Sequence, residues 1–306
     1  MRARRSYASA PAPLSSIFSP KIPEGGGAEE VGARGGGFTI RRGVETYVEY
    51  LPGEADESEL YLNDSRTSFI TSVKSLELLR KSLGLKGRVI LRHRVHVPIG
   101  AGFGVSASIA LTTILALFKV ADRGITLREA CRLVHEIEIE CRTGLNSEAG
   151  FLSEGLVLVL GWGSPSRLIL DSIPIPRDSI IISISASSLG SSKLLESRER
   201  LRAVEEVGDR KLEEILRHPT PENFLQRSRE FAVETGLATE EVQEIFEELE
   251  RLPVIGYAQN MLGRACHALA LKRRADEVAA RLRSVFPEYR VGVHEVGNEI
   301  RVSGLV

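Results

Sequence analysis

The sequence has little of several residue types, and each shortage excludes a class of protein. Three cysteines in 306 residues are too few for a disulfide framework or a thiolate zinc site. Lys plus Arg number 40 against 41 Asp plus Glu, so the chain lacks the positive excess typical of nucleic-acid or anionic-membrane binding. The longest strongly apolar run, residues 109–118, is well short of the roughly 20 residues that span a bilayer. These shortages predict a cytoplasmic protein with no nucleic-acid or membrane partner.

What remains is the composition of an ordinary globular protein, with 42% hydrophobic and 26% charged residues. The N-terminal residues are basic and small but lack the apolar core of a secretory signal, so residues 1–15 are expected to be a disordered tail. A Pro- and Ser-containing stretch at residues 171–179 is the most economical domain boundary. It predicts an N-terminal domain over residues 16–174 and a C-terminal domain over residues 175–306.

Hydrophobic periodicity predicts an α+β fold with mixed or antiparallel sheets in both halves. A strand at residues 88–97, a glycine-rich turn and a helix at residues 106–121 form one unit. The pattern after residue 193 is mostly helical and includes a helix at residues 261–268. Gly297-Asn298 suits a tight turn, so residues 289–302 are expected to form a terminal hairpin.

The turn between that first strand and helix is the most informative segment. It reads Pro-Ile-Gly-Ala-Gly-Phe-Gly-Val-Ser-Ala-Ser from Pro98 to Ser108. Glycine lets backbone N–H groups approach an anion, and the positive end of the following helix adds to the attraction. The spacing fits neither a Walker A loop nor the dinucleotide fingerprint. A plain strand-to-helix turn would need fewer glycines, so the pattern favours phosphate binding.

This segment resembles the phosphate loop of the GHMP kinase superfamily, which has the form Pro-x-x-x-Gly-Leu/Phe-Gly-Ser-Ser-Ala. With Phe103 it is most similar to the archaeal pantoate kinase branch. Residues 135–145, His-Glu-Ile-Glu-Ile-Glu-Cys-Arg-Thr-Gly-Leu, resemble that branch's His-x-Ala-Glu-Val-Glu-Asn-Arg-Thr-Gly-Leu. Residues 256–263 and 188–195 are more weakly similar to two later segments. The resemblance therefore spans roughly residues 35–263.

The resemblance implies the two-domain GHMP kinase fold, with a ribosomal protein S5 domain 2-like N-terminal domain that binds ATP and a ferredoxin-like C-terminal domain. It also implies an enzyme, a phosphotransferase that uses ATP and Mg²⁺ to phosphorylate the primary hydroxyl of pantoate to 4-phosphopantoate, a step toward coenzyme A. The alternatives are a GHMP kinase acting on another hydroxy acid and a catalytically inactive nucleotide-binding homologue with a regulatory role. A homodimer stays open.

By position, the resemblance assigns the glycine-rich segment to the phosphate site. The matched residues are Pro98, Gly100, Ala101, Gly102, Phe103, Gly104, Val105, Ser106, Ala107 and Ser108. The Ser106 hydroxyl matches the one that meets Mg²⁺, and Glu138 is the expected carboxylate ligand. Glu138 and Glu140 lie on opposite edges of one helix stripe, so periodicity alone cannot choose between them. Arg142 either stabilises the transferred phosphate charge or only favours the end of the helix, and Lys193 is a weaker cationic candidate.

The resemblance fails where the branch continues with Gly-Asp, because this chain has Asn146, Ser147 and Glu148. That aspartate is the family's candidate base, and a serine cannot replace a carboxylate as proton acceptor at neutral pH. We therefore expect Glu148 to act as a displaced catalytic carboxylate, with Ser147 and Arg142 beside it. His135 has no partner visible in the sequence and is expected at the surface.

The segment that helps to form the acceptor site in the branch also departs. Residues 19–27 lack the branch's histidine and phenylalanine. Residues 35–38, Gly-Gly-Gly-Phe, either line an acceptor pocket or form a flexible turn, and the turn is slightly favoured. Phosphate binding is therefore better supported by the sequence than the identity of the acceptor.

Overall fold

The computed structural model describes residues 2–186 and 198–305, and within these ranges the chain forms an α+β fold built on two sheets. The strands of the first sheet are β1 (Arg4–Lys21), β2 (Gly32–Pro52), β3 (Glu57–Leu62), β4 (Ser65–Arg66), β5 (Gly87–Val95), β6 (Leu156–Val159), β7 (Leu170–Ile173) and β12 (Arg301–Leu305). The strands of the second sheet are β8 (Ser179–Ser185), β9 (Gly256–Gln259), β10 (Ala265–Leu271) and β11 (Arg290–Glu295). The helices are α1 (Ile70–Leu83), α2 (Val105–Val120), α3 (Leu127–Cys141), α4 (Ala149–Leu152), α5 (Arg198–Arg217), α6 (Pro221–Glu234), α7 (Glu240–Leu249) and α8 (Ala275–Val285).

The first sheet is built around the long antiparallel pair of β1 and β2. β5 continues it antiparallel to β2, and β3 pairs in parallel with β5. The helix α2 packs across β1 and β2 and is buried on nearly all sides, as expected from its Ala-, Leu- and Ile-rich sequence without Gly or Pro. Because α2 follows directly from the glycine-rich segment, its packing fixes that segment against the sheet.

The prediction of a disordered tail over residues 1–15 is wrong, because most of that segment belongs to β1. Its small side chains Ala8, Ala10 and Ala12 are buried, and the hydroxyl of Ser6 donates to the carbonyl of Ala116 in α2 at 2.7 Å. Small residues allow the helix to approach the strand closely. The small residues that predicted a disordered tail therefore form the surface of β1 that contacts α2.

The second sheet has the order β11-β8-β10-β9 with every neighbour antiparallel. Helices α5 to α7 connect β8 to β9, and α8 connects β10 to β11, which is the ferredoxin-like arrangement that the family resemblance implied. The chain passes from the first sheet to the second between β7 and β8. No helix in the described part of the chain is both long and apolar enough to cross a membrane.

Two predicted elements of this half are wrong. The expected terminal hairpin does not form, since β11 pairs with β8 while β12 pairs with β1 in the first sheet. The expected helix at residues 261–268 is a turn followed by β10. A short apolar run that is buried on both faces has no period that separates strand from helix, and β10 is such a run.

Candidate active site

The glycine-rich segment forms a turn whose shape requires its glycines. Gly100, Gly102 and Gly104 have φ angles of +75°, +74° and +54°, in the left-handed region that favours glycine. A Cβ atom on Gly102 would lie 2.7 Å from Cβ of Asn260, and one on Gly104 would lie 2.6 Å from Cγ of Pro13. Left-handed residues alternating with ordinary ones make the backbone concavities that bind anions, and this concavity ends at the N-terminus of α2.

The ten predicted phosphate-site residues divide by exposure. At least partly exposed are Pro98, Gly100, Gly102, Gly104 and Ser106, whereas Ala101, Phe103, Val105, Ala107 and Ser108 are buried. The Ser108 hydroxyl donates to the carbonyl of Pro11 at 2.8 Å. The buried members therefore hold the turn in place and offer a ligand at most their backbone.

Ser106 and Glu138 meet where the turn enters α2. The Ser106 hydroxyl donates to Oε1 of Glu138 at 2.6 Å. Glu138 is 1% exposed, and its Oε2 is buried with no hydrogen-bond partner among the described residues. Burial raises the pKa of Glu138 to about 6, although the hydrogen bond from Ser106 opposes this shift. Glu140, the alternative ligand, is exposed and paired with Lys74, so of the two carboxylates Glu138 is the one that meets Ser106.

This pair fits a hard divalent cation. A buried carboxylate with one unpartnered oxygen beside a hydroxyl is an oxygen donor set of the kind that Mg²⁺ prefers. The described residues contain no cluster of three or more His, Cys, Asp or Glu side chains that could hold a metal. Mg²⁺ at Ser106 and Glu138 would therefore complete its coordination with phosphate oxygens and water, as it usually does.

The turn after α3 places Ser147 and Glu148 on opposite sides. A Cβ atom on Gly144 would lie 2.7 Å from the Ser147 hydroxyl and 2.5 Å from Oε2 of Glu138, so hydroxyl and carboxylate face the same space. Glu148 is fully buried, with its Oε1 2.8 Å from Nδ1 of His135. The prediction of Glu148 as a catalytic carboxylate is therefore wrong, because its side chain points into the protein.

The expected surface position of His135 is wrong for the same reason. The ring is 1% exposed, and its Nε2 donates to the carbonyl of Ala28 at 2.8 Å while Nδ1 faces Glu148. Burial opposes protonation, but the contact with Glu148 outweighs it and raises the pKa of His135. The resulting ion pair ties α3 to the turn that carries Ser147. Ala28 comes from a distant segment and Glu148 from the turn after α3, so no helical period marks these contacts in the sequence.

Of the two predicted cations, Arg142 and Lys193, the structure describes only Arg142. Arg142 follows α3 in a left-handed conformation with φ of +54°, and its side chain is exposed. No ion pair or side-chain hydrogen bond engages it within the described residues, so both predicted roles of Arg142 stay open. Lys193 and the similar segment at residues 188–195 lie outside the described residues.

A cavity adjoins the phosphate loop, because Pro13 lines it and also packs against Gly104. Apolar side chains form most of its wall, among them Leu14, Ile17, Phe18, Val157 and Val159. Its polar lining comes from Ser15, Thr39, Asn146 and Ser147, and Arg34 is the only charged lining residue in the described part of the chain. Residues 35–38 lie in β2 and line this cavity, so the favoured reading of them as a flexible turn is wrong.

A buried hydrogen-bond chain that the sequence did not predict supports the loop from the second sheet. The Asn260 Nδ2 donates to the carbonyl of Ala101 at 2.8 Å. Its Oδ1 lies 2.8 Å from Nδ1 of His267, whose Nε2 lies 2.9 Å from the Ser16 hydroxyl. Burial lowers the pKa of His267 to about 3, so the ring is neutral. The weak similarity at residues 256–263 was the only sequence signal for this contact.

Comparisons with known proteins agree with this fold. The sequence model of the GHMP kinases N terminal domain matches residues 71–151. Pantoate kinases from Methanocaldococcus jannaschii and Thermococcus kodakarensis are each 28% identical, over 83% and 87% of this chain and 90% and 88% of theirs. A solved phosphotransferase related to the CoA biosynthesis pathway is 26% identical, with a TM-score of 0.85 over 98% of both chains.

The matches define the class that this chain resembles: residues 71–151 match the N-terminal domain of the GHMP kinase superfamily, and the phosphate loop lies within this match. Within that superfamily its sequence relatives are the pantoate kinases. The predicted two-domain GHMP kinase fold is thereby confirmed.

Proposed function

We propose that this protein is an ATP-dependent kinase that phosphorylates the primary hydroxyl of pantoate to give 4-phosphopantoate. The observation that carries the proposal is the Ser106–Glu138 pair, which lies at the N-terminus of α2 beside a small, mostly apolar cavity. The relatives that match most of the chain are pantoate kinases.

Each part of the loop has a role in this proposal. Backbone N–H groups around residues 100–106 bind the phosphates of ATP, with the positive end of α2 adding to their attraction. Ser106 and Glu138 hold Mg²⁺, which when bound neutralises phosphate charge. We assign Arg142, which stands at the exposed end of α3, to the charge of the transferred phosphate.

The absence of a carboxylate among the described residues of the cavity wall is compatible with phosphoryl transfer. The acceptor oxygen bonds to the γ-phosphorus as the bond to the bridging oxygen breaks, ADP leaves, and the hydroxyl proton passes to solvent. Such transfer has a loose transition state that asks the protein mainly for positioning and charge neutralisation. Ser147, which lines the cavity beside Glu138, orients the hydroxyl.

The test is a panel of hydroxy acids incubated with ATP labelled at the γ-phosphate. Pantoate is expected to take up the label, and Ser106→Ala and Glu138→Gln should each lower turnover at least about a hundredfold, the scale for losing a positioned electrostatic group. Glu140→Gln, on the same helix but exposed and paired with Lys74, is the matched control and should retain activity. Label on another acid instead would identify a GHMP kinase of different specificity, and ATP binding without transfer to any acid would identify an inactive homologue.

A further inference from the structure

The cavity beside the phosphate loop carries one charge on an otherwise uncharged wall. Arg34 is its only charged lining residue in the described part of the chain, and the side chain is 22% exposed. A single cation on a mostly apolar wall with a few neutral polar groups suits a small, partly apolar ligand that carries one acidic group.

The contacts of Arg34 hold its guanidinium without exhausting it. Nε donates to the carbonyl of Leu160 at 3.1 Å, and Nη1 donates to Oδ1 of Asp209 at 3.1 Å. No described residue accepts a hydrogen bond from Nη2. A guanidinium has five N–H donors in a fixed planar fork, so Arg34 keeps donors for a ligand while two contacts fix its direction.

Lys21 competes with Arg34 for the carboxylate of Asp209, so the charge of Arg34 is only partly neutralised. Lys21 Nζ lies 2.5 Å from Oδ2 of Asp209 and 2.7 Å from Oε1 of Glu205. Asp209 is therefore shared between two cations, and Lys21 is not among the residues that line the cavity. A carboxylate entering the cavity would meet Arg34 rather than Lys21.

The same wall is tied to the phosphate end of the site. The backbone N–H of Ala33, next to Arg34, donates to Oδ1 of Asn146 at 2.7 Å, and Asn146 precedes Ser147 in the turn beside Glu138. This hydrogen bond therefore joins the strand that carries the cation to the turn that carries the hydroxyl. A ligand anchored at one position is oriented at the other.

We propose that Arg34 binds the carboxylate of the acceptor and makes the kinase specific for acids. This inference rests on the proposed function, because it assigns the acceptor to this cavity. Pantoate has a carboxylate at one end, a primary hydroxyl at the other and two methyl groups between them, and this order matches Arg34, Ser147 and the apolar wall.

The test compares pantoate with its primary amide, which has the same shape without the charge. The wild-type protein should use pantoate about a hundredfold better in kcat/KM, the scale for losing one partner of a buried charge pair. Arg34→Gln should abolish that preference by raising the KM for pantoate, and it should leave the KM for ATP unchanged. Arg34→Lys should recover part of the preference. Arg41→Gln, on the same strand but outside this cavity and paired with Glu295, should behave as wild type.

The outcomes separate the two claims. A preference for pantoate over the amide that survives Arg34→Gln would overturn the role of Arg34 while leaving pantoate kinase activity intact. Equal increases in the KM for ATP and pantoate would also reject it, because they indicate general damage to the site. If the wild type phosphorylates a different acid, the assignment of pantoate fails. The role of Arg34 is then tested by comparing that acid with its own primary amide. If calorimetry shows no binding of any acid and the turnover assay shows no phosphorylation of any acid, both claims are rejected.

Discussion

The buried position of Glu138 makes the ionised form of its carboxyl group unfavourable. Its carboxylate is 1% exposed, and burial raises its pKa from 4.5 to about 6. The folded protein thus holds this proton more tightly than the unfolded chain, and ionisation above pH 6 costs stability, about 2 kcal/mol by linkage. A bound cation would remove that cost by compensating the charge.

Glu138→Gln is therefore expected to stabilise the protein in the absence of nucleotide. Its advantage over wild type in free energy of unfolding should grow as pH rises from about 4.5 to 6 and then level off, because only the wild-type group ionises. Urea denaturation at a series of pH values measures this difference. Saturating Mg-ATP should make the wild type more stable than Glu138→Gln at pH 7.5, because the ligand stabilises the wild type selectively. If the stabilisation by Glu138→Gln decreased as pH rises, this would contradict a buried Glu138 with a raised pKa.

At the scale of elements, the phosphate loop is shaped by its neighbours as well as by its own sequence. Gly102 has a φ of +74°, and a Cβ atom there would lie 2.7 Å from Cβ of Asn260. Gly102→Ala should therefore displace the loop and weaken ATP binding at least about tenfold, since both strain and a clash oppose the native turn. Calorimetric titration with Mg-ATP measures the loss. Gly124→Ala, where an added Cβ atom meets nothing within 4 Å, is the control and should bind as wild type.

The support from the second sheet gives a separate prediction. His267→Leu would leave Asn260 and Ser16 without their shared partner in the core, at a cost of about 3 kcal/mol. The KM for ATP should rise as well, because Asn260 holds the carbonyl of Ala101. Urea denaturation and ATP-dependent kinetics measure the two effects. His218→Leu, at an exposed position, should change neither.

The stability effect of His267→Leu should also depend on pH. The neutral ring of His267 has its pKa lowered to about 3, so its contribution is full above the unfolded value of 6.5 and declines as pH falls toward 3. The difference between wild type and variant should therefore narrow from pH 7.5 to pH 5. A difference that widens on acidification would contradict a buried, neutral histidine.

Across elements, the sequence predicted local patterns better than long-range pairing. The unit of β5, glycine turn and α2 follows from period, glycine spacing and the lack of helix breakers. The path of β12 could not be predicted, because it pairs with the distant strand β1. The burial of Glu148 against His135 could not be predicted either, because it depends on how the turn after α3 folds back on that helix. Arg34 was missed because a single arginine before three glycines has no pattern of its own.

At the scale of the whole molecule, the first and the last strand of the described chain pair with each other in the first sheet. β1 pairs with β2 on one side and β12 on the other, and it lines the cavity with residues such as Leu14 and Phe18. Deleting residues 2–15 should therefore abolish cooperative folding, because it removes most of the strand against which α2 packs. Thermal unfolding followed by circular dichroism tests this. Deleting only residues 2–3, which precede β1, should leave the transition temperature unchanged, and a normal transition in the longer deletion would show that the segment is dispensable.

The account depends on where the triphosphate binds, so the most direct measurement is a crystal structure with Mg²⁺ and a non-hydrolysable ATP analogue. We expect the β- and γ-phosphates on the backbone N–H groups of residues 100–106, with the cation touching Ser106 and Glu138 and the γ-phosphate facing the cavity that Arg34 lines. A triphosphate bound elsewhere on the protein, or a cation that contacts neither Ser106 nor Glu138, would contradict the account.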